Sequence, residues 1–300
     1  MLTRRRQRWA YLYILPFFAV FLTFSIYPII YSLYLSFTSY DPLMLSTTWV
    51  GLDNYVRMFT SNYFWESVGN TVVIWLFSII PQLLIAITLS LILNERWVKG
   101  RGMLRSVYYF PNLVTPITIG LLFNIMFSYP GGAINNLFVT LGLFGQPVDF
   151  ANNPTLAKMV GGIAICWQNF GYNIIFISAG LNAISQDVYE AAEVDGANAW
   201  HRTTKITMPL IRPIMLYIMI TSIIGGLQIF DIPKMLFRDK AANATRTMVL
   251  YMYESAFERW QFGYGAAIAY GIFLIIGVFS LISLIVTNRP SGKGKEVETL

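Results

Sequence analysis

Long apolar runs alternate with short polar segments along this chain, and six of the runs are long enough to cross a membrane as helices. A membrane-spanning helix needs roughly 20 predominantly apolar residues, because its rise of about 1.5 Å per residue must cover a hydrocarbon layer about 30 Å thick. The predicted spans are approximately 10–37, 68–93, 107–129, 159–183, 214–230 and 264–287. They predict an all-α integral membrane protein.

The first apolar run follows the basic segment RRRQR, so a cleaved secretory signal is an alternative to a retained helix. Signal cores contain about 7–15 apolar residues and precede a cleavage site of small residues. This run is far longer than such a core, and no A-x-A pattern follows it. We therefore expect a retained first span.

Composition supports the membrane assignment. Hydrophobic residues make up 56% of the chain and charged residues only 12%, whereas soluble domains average about 25% charged residues. The chain has one cysteine, Cys166, and one histidine, His201. These counts exclude an internal disulfide, a multi-cysteine metal cluster and zinc sites built on paired histidines, so we expect no metal site.

Positive charge is distributed unevenly among the polar segments. Two thirds of the 21 Lys and Arg residues fall in the N-terminal segment, the second and fourth connections and the tail. Because cytoplasmic segments of membrane proteins are enriched in Lys and Arg, both termini are predicted to be cytoplasmic. The organisation is then a cytoplasmic segment at 1–9, a six-span domain at 10–288 and a cytoplasmic tail at 289–300. Topology accounts for the net charge of +6 without a nucleic-acid partner.

The fourth connection is the most polar long segment of the chain. It reads YEAAEVDGANAWHRTTKITMPLIRP from Tyr189 to Pro213. Ser185 or Asp187 can cap its first helix, and Gly196 predicts a turn with positive φ. A charged helix–glycine–helix insert on the cytoplasmic side suits docking to another protein, although a solvated amphipathic loop is the plain alternative.

The chain lacks the common catalytic motifs. It has no G-x-x-x-x-G-K-[ST] nucleotide loop, no G-x-S-x-G and no H-E-x-x-H, so we predict no catalytic residue and no cofactor in this chain. The six predicted spans also contain no Asp, Glu, Lys, Arg or His. Because coupling ions usually need an ionisable residue at membrane depth, this disfavours an ion-coupled transporter, although backbone carbonyls can bind sodium.

The fourth connection resembles the EAA loop of binding-protein-dependent ABC importer permeases. The residues that match it, at the family's spacing, are Glu190, Ala191, Ala192, Asp195, Gly196, Ala197, Trp200, Ile206 and Pro209. A second segment, WVGLDNYVRMF…NT from Trp49 to Thr71, resembles the outer segment of the carbohydrate subfamily, and the first apolar run resembles that subfamily's first span. The resemblance covers residues 9–289. Departures from the family pattern are Ser185, Thr203 and Met208, and they bear on the packing of the loop.

The resemblance implies the six-helix fold of type I ABC importer permeases, with both termini cytoplasmic, in a bacterial-type inner membrane. It implies four kinds of partner: a second homologous permease, two cytoplasmic ATP-binding subunits that carry ATP and Mg²⁺, an extracytoplasmic sugar-binding protein, and the lipid bilayer. ATP hydrolysis then belongs to the partners, so this chain is not expected to be an enzyme. The loop at about 185–212 would couple to the ATPases, and the coupling residues implied are Glu190, Ala191, Ala192, Asp195, Gly196 and Pro209.

Polar residues in the fourth and fifth spans are candidates for a sugar pathway, because sugars bind to amides, hydroxyls and aromatic faces. The candidates are Trp167, Gln168, Asn169, Tyr172, Asn173 and Gln228. Asn169 and Asn173 are four residues apart and therefore share a helix face. The alternative is that these amides bond across helices while Gly225 and Gly226 aid packing.

The resemblance therefore implies a permease subunit of an ATP-driven, binding-protein-dependent sugar importer, with an oligosaccharide as the expected substrate. The competing hypotheses are an ion-coupled secondary transporter and a nontransporting scaffold or receptor whose loop recruits a cytoplasmic partner. A disaccharide, an oligosaccharide, glycerol phosphate and other polyols all stay open as substrates. The lack of Lys and Arg in the spans favours an uncharged sugar over a phosphate.

Overall fold

Helices make up most of this protein, as the apolar runs predict. A computed structural model of the chain describes residues 4–41, 46–95, 97–236 and 243–288. Five helices are long and apolar enough to cross a membrane, and a bent helix pair supplies a sixth crossing if it is counted as one span. The five are Tyr11–Ser36, Asn62–Asn94, Pro154–Asn182, Arg212–Met235 and Phe262–Val286. The predicted all-α class and multi-span architecture are confirmed.

The N-terminal third begins with two helices joined by a π-helical turn at Leu22–Ile26. A short strand pair, a short helix and two long helices follow. Their bounds are α1 (Arg4–Phe21), α2 (Tyr27–Ser36), β1 (Thr38–Asp41), β2 (Ser46–Trp49), α3 (Asp53–Thr60), α4 (Asn62–Asn94) and α5 (Arg101–Leu113).

The remaining helices include the long α8 and α15 and several short connecting helices. Their bounds are α6 (Pro116–Met126), α7 (Ala133–Thr140), α8 (Pro154–Asn182), α9 (Gln186–Val194), α10 (Ala199–His201), α11 (Met208–Leu210), α12 (Arg212–Leu227), α13 (Asp231–Met235), α14 (Met248–Tyr253) and α15 (Phe262–Asn288). The predicted tail at 289–300 lies outside the described residues.

The third predicted span is broken, so the prediction of one continuous helix through 107–129 is wrong. Helices α5 and α6 meet at an angle of 87°. Val114 and Thr115 between them are extended, with ψ of 136° and 139°. Thr115 precedes Pro116, and the proline ring disfavours helical ψ in the residue before it. The bend therefore has a local cause in the sequence.

The fifth predicted span is longer than 214–230 and is also interrupted. Helix α12 ends at Leu227 and α13 begins at Asp231, so that the apolar crossing extends to Met235. The crossing therefore includes one carboxylate and one ammonium, those of Asp231 and Lys234. The absence of ionisable residues holds for the predicted bounds of this span and not for the observed ones.

A two-stranded antiparallel sheet is the part of the fold that the sequence did not predict. Strand β1 pairs with β2, with Thr38 opposite Trp49 and Asp41 opposite Ser46. The strands TSYD and STTW are rich in Thr and aromatic residues, which favour extended structure. Four residues per strand are too few for a periodic signal. The segment WVGLDNYVRMF that follows β1 contains the short helix α3.

The chain divides into two compact units, one of Met1–Trp65 with Tyr251–Phe273 and one of Glu66–Leu250 with Leu274–Leu300. In the first unit the buried amide of Asn54 donates hydrogen bonds to the carbonyl oxygens of Ser36 and Thr38, each at 2.9 Å. These bonds join α3 to the end of α2 and to β1.

In the second unit, two clusters of buried apolar residues hold α8 against its neighbours. The first cluster is Ile74, Ile119, Phe123, Phe127, Phe150, Ala157, Val160, Ala164, Ile165, Ile232 and Leu236. The second is Ala86, Leu93, Ile174, Ile177, Leu181, Ile211 and Ile218. Helix α8 contributes to both clusters, so it is the central element of this unit and fixes the positions of the polar residues between them.

Candidate functional site

A cavity of about 390 Å³ lies within the second unit, bounded by α4, α8, α12 and α13. Its lining combines apolar surface with a set of amides, hydroxyls and one carboxylate. The polar residues of the lining are Ser78, Gln82, Gln168, Asn169, Tyr172, Asn173, Thr221, Ser222, Gln228 and Asp231. Trp75 and Phe230 add aromatic surface to the same wall.

Five of the six residues predicted for the sugar pathway line this cavity: Gln168, Asn169, Tyr172, Asn173 and Gln228. Trp167 is placed elsewhere. Its indole lies against the buried core, with its ring centroid 6.1 Å from that of Phe123. A rotation of about 100° per residue along α8 turns Trp167 away from the face that Gln168 and Tyr172 present, so its place in a sugar pathway has no support from this geometry.

Two of the predicted amides are engaged at the break between α5 and α6. The side chain of Gln168 donates to the carbonyl oxygen of Val114 at 3.3 Å, and that of Asn112 donates to Asn169 Oδ1, also at 3.3 Å. Asn169 in turn donates to the carbonyl of Ile165 at 3.0 Å. Non-helical backbone at membrane depth must find hydrogen-bond partners within the protein. The Gln168 side chain is such a partner for the Val114 carbonyl at the bend. Gln168 and Asn169 therefore support the broken span.

The other wall of the cavity contains functional candidates that the sequence reading missed. Gln82 on α4 is one of them, and at 5% exposure it is as deeply buried as the predicted Asn173, at 4%. Trp75 Nε1 donates to Ser222 Oγ at 3.0 Å, which fixes the indole at the cavity wall. A Cβ on Gly226 would lie 2.0 Å from Trp75 Cδ1, so this glycine leaves room for the indole. The missed signal was Gln82, the one glutamine of the predicted second span.

The polar loop after α8 folds as a helix, a glycine turn and a second helical segment. Ser185 caps α9 by accepting a hydrogen bond from the Asp187 amide at 3.3 Å. Asp195 ends the helix, and Gly196 follows with φ of +80°. The predicted cap and the predicted positive-φ turn are confirmed. Pro209 lies in α11, in the turn that leads into the fifth crossing.

Contacts within the loop join its two halves. Arg202 forms an ion pair with Glu193 across the glycine turn, and the hydroxyls of Tyr189 and Thr207 lie 3.0 Å apart. The loop is therefore held by contacts on both sides of Gly196.

Apolar side chains of the loop point in opposite directions. Ala192 is buried, whereas Val194 and Trp200 are 89% and 74% exposed. Glu190 and Ala191 precede Ala192 on α9, and Glu190 lines a second cavity of about 860 Å³ beside the loop. The loop thus presents large apolar side chains outward from a preformed backbone.

Residues 70–290 match the family described as "Binding-protein-dependent transport system inner membrane component". The chain belongs to this family. The match extends from α4 to just beyond the end of α15, so it includes the cavity and the polar loop. The resemblance to binding-protein-dependent ABC importer permeases is confirmed. The relatives described next support the assignment to the carbohydrate subfamily.

Two relatives cover nearly the whole chain. One is the lactose transport system permease protein of Rhizobium radiobacter, which is 34% identical over 91% of this chain and 91% of its own length. The other is the arabinooligosaccharides transport system permease protein of Bacillus subtilis, which is 32% identical over 95% and 90%.

Two solved structures have the same fold. One is a bacterial ABC transporter involved in the import of the acidic polysaccharide alginate, with a TM-score of 0.83, 24% identity and coverage of 96% of this chain and 97% of the other. The second, with a TM-score of 0.81, 24% identity and coverage of 95% and 96%, is the alginate transporter in complex with an alginate pentasaccharide-bound periplasmic protein. At this identity the likeness supports the fold, which is that of type I ABC importer permeases.

Proposed function

We propose that this chain is one of two permease subunits of an ATP-driven, binding-protein-dependent oligosaccharide importer, and that the cavity of about 390 Å³ is its part of the sugar pathway. The observation that carries the proposal is the lining of this cavity, where amides and hydroxyls from three long helices converge beside aromatic surface. Pockets of about 300–1,000 Å³ with a few convergent polar groups are typical of small-molecule sites. The relatives named for lactose and for arabinooligosaccharides support a sugar as the substrate.

Within the cavity, we assign sugar recognition to Asn173, Gln82 and Gln228, because the side chains of Gln168 and Asn169 already form hydrogen bonds at the bend. Trp75 and Tyr172 supply flat aromatic surface of the kind that sugars stack on. Buried amides offer both donors and acceptors, which suits hydroxyl groups that also act as both. In this arrangement the amides set the orientation of the sugar and the rings set its plane.

We assign the loop at about 185–212 to coupling with a cytoplasmic ATP-binding subunit. Its preformed shape supports this, since a contact surface that is already ordered loses little entropy on docking. Val194 and Trp200 are the apolar anchors of this surface. Glu190, Ala191, Ala192, Asp195, Gly196 and Pro209 supply the backbone and the turn that hold the two anchors in place.

The remaining features of the proposal follow from the family and from the charge distribution. Both termini are cytoplasmic in a bacterial-type inner membrane, with 1–9 and 289–300 flanking the permease domain at 10–288. The partners are a second permease, two ATP-binding subunits that hold ATP and Mg²⁺, and an extracytoplasmic sugar-binding protein. The family description names the dependence on a binding protein, and the complex with a periplasmic protein supports that partner.

Reconstitution tests the assembly. We expect this chain to purify in a complex with its partner subunits, and proteoliposomes holding that complex to take up at least one of lactose, maltose, trehalose and α-1,5-arabinotriose. Uptake should require both internal ATP and the sugar-loaded binding protein, since this chain has no nucleotide-binding motif. ATPase activity or sugar uptake by this chain alone would contradict the proposal, as would a complete complex that transports none of these sugars.

One observation favours a second candidate, an ion-coupled secondary transporter. Asp231 lines the cavity, and an ionisable residue at depth is the usual requirement for moving a coupling ion. The same proteoliposomes distinguish the two candidates. Uptake driven by an imposed proton or sodium gradient, without ATP and without the ATP-binding subunits, would support the secondary transporter.

The role of Asn173 gives a direct test of the pathway. We expect Asn173→Leu to slow uptake by about five- to 150-fold, because a sugar hydroxyl left unpaired in a buried site costs about 1–3 kcal/mol. The binding-protein affinity and the yield of complex should stay unchanged, because leucine has the same branched shape as asparagine and removes only its hydrogen-bonding groups. Uptake, complex yield and stimulated ATPase activity are followed together.

The control for this substitution is Ile282→Ala, at an exposed position of α15. It truncates a side chain outside the cavity and should leave uptake within about twofold, since exposed substitutions change stability by about 0.5 kcal/mol or less. Normal uptake by Asn173→Leu, or its failure only through loss of assembly, would make this amide a packing group.

A further inference from the structure

Within the part of the chain that the structure describes, a single residue sets the charge of the cavity. Among the described residues that line it, Asp231 alone has an Asp, Glu, Lys, Arg or His side chain. The other polar lining groups are neutral amides and hydroxyls. A lone carboxylate in a cavity with partly apolar walls produces a stronger field than it would in water, because the surroundings screen it less.

Asp231 reaches the cavity through the interruption of the fifth crossing. Helix α12 ends at Leu227, and Gln228 and Phe230 lie in the short break before Asp231 opens α13. All three residues of the break, Gln228, Ile229 and Phe230, line the same cavity. The break therefore turns a segment that would otherwise continue as an apolar helix into part of the cavity wall.

The nearest cation along the chain does not line the cavity. Lys234 follows Asp231 by three residues on α13, and its ammonium lies 4.9 Å from the ring centroid of Phe230. Asp231 is part of the cavity lining, whereas the ammonium of Lys234 lies over the ring of Phe230. Among the described residues of the lining, none has an ammonium or guanidinium group that would offset this carboxylate.

We propose that Asp231 selects sugars by charge, admitting neutral and amine-bearing oligosaccharides and disfavouring those that carry a carboxylate. The inference rests on the proposed function, since it concerns the same cavity. The carboxylate accepts hydrogen bonds from sugar hydroxyls, which are stronger than those between neutral groups. It attracts an ammonium group and repels a second carboxylate at reduced screening. The alginate importer that shares the fold takes an acidic polysaccharide. The two proteins would therefore have the same fold and opposite charge preferences.

The test uses three forms of one sugar in the complete reconstituted complex. They are the neutral sugar that the complex takes up best, its analogue with one hydroxymethyl group oxidised to a carboxylate, and its analogue with that group replaced by aminomethyl. The modified position is one at which the binding protein tolerates the change, established by its measured affinity for each form. Uptake is then measured with saturating loaded binding protein for the unchanged chain and for Asp231→Asn, Asp231→Glu and Asp53→Asn.

We expect Asp231→Asn to raise carboxylate-analogue uptake relative to the neutral sugar by about tenfold or more and to lower amine-analogue uptake by a similar factor, since the substitution removes the charge and keeps the shape. Asp231→Glu should retain the original order. Asp53→Asn makes the same chemical change at an exposed position outside the cavity and should alter neither ratio. Opposite shifts for the two analogues cannot come from misfolding, which would lower the uptake of every form.

Two results distinguish a failure of charge selection by Asp231 from a failure of the proposed function. If the unchanged complex takes up the neutral sugar in an ATP-dependent way but Asp231→Asn leaves both ratios as they were, charge selection by Asp231 is wrong and the proposed function stands. If the unchanged complex takes up none of the three forms, the proposed function itself fails. If Asp231→Asn does not assemble, the ratios for Asp231→Ser decide the question in the same way.

Discussion

Replacing Gly171 by alanine should prevent most of the protein from assembling, which is the largest structural effect we expect from a single methyl group. A Cβ at Gly171 would lie 1.9 Å from the carbonyl oxygen of Tyr108 and 2.9 Å from Cα of Tyr109. These are backbone atoms of α5, so they can give way only if the whole helix moves. Overpacking of a core costs about 1–3 kcal/mol and sometimes more, and we expect about 3 kcal/mol here.

The consequence reaches the functional site, because Gly171 lies on α8 between Asn169 and Asn173. Moving α5 away would also separate Gln168 from Val114 and release the bend that Gln168 supports. We expect the yield of assembled complex to fall by about tenfold and its melting temperature to drop by several degrees, measured after purification in lipid nanodiscs.

Two other glycines provide matched controls. At Gly69 in α4 and Gly277 in α15, an added Cβ would have no neighbouring atom within 4 Å. Alanine at either position should be neutral or stabilising by up to about 1 kcal/mol, since alanine favours the helix. If Gly171→Ala matched these two in yield, melting temperature and uptake, the close approach of α5 to α8 would not be needed for the fold.

Replacing Gly196 by proline should separate ATP hydrolysis from sugar uptake. Gly196 has φ of +80°, and proline holds φ near −65°, so the turn between α9 and the second helical segment cannot form. The ion pair of Glu193 with Arg202 spans this turn and would be lost with it. Forcing proline into this left-handed turn costs about 2 kcal/mol or more. No other contact among the described residues offsets this cost, so we expect uptake to fall by about tenfold or more.

Asparagine at Gly196 is the control, because it adopts the left-handed conformation more readily than other residues with a side chain. The space around a Cβ at Gly196 is open, with nothing within 4 Å, so the asparagine side chain fits. Gly196→Asn should keep most of the uptake and of the ATPase stimulation by loaded binding protein. Equal coupling in the proline and asparagine variants would remove the loop from the coupling mechanism.

The fold of the polar loop could be predicted from the sequence because it depends on residues that are close together in the chain. Ser185, Gly196 and the helix between them are within twelve residues, and capping and positive φ depend on nearby backbone alone. The same is true of the bend before Pro116, whose cause lies in adjacent residues. The sequence nevertheless predicted a straight third span there, because a run of apolar residues indicates membrane depth and carries no information on direction.

Only part of the cavity lining could be predicted from the sequence. Helical spacing placed Asn169 and Asn173 on one face of α8, and both line the cavity. It did not reveal that Asn169 is engaged by Asn112 at the bend, nor that Trp167 packs into the core. Trp75, Gln82 and Asp231 come from helices far away in sequence.

The sequence by itself determined the membrane class, the number of candidate crossings and the local fold of the polar loop, because hydropathy, capping and turn chemistry act over one element at a time. Only the tertiary structure decided which amides support the broken span and which face the cavity, and that Asp231 joins them. These assignments depend on close contacts such as that of Gly171 with Tyr108, and the free energy of such packing arises between helices, where no stretch of sequence records it.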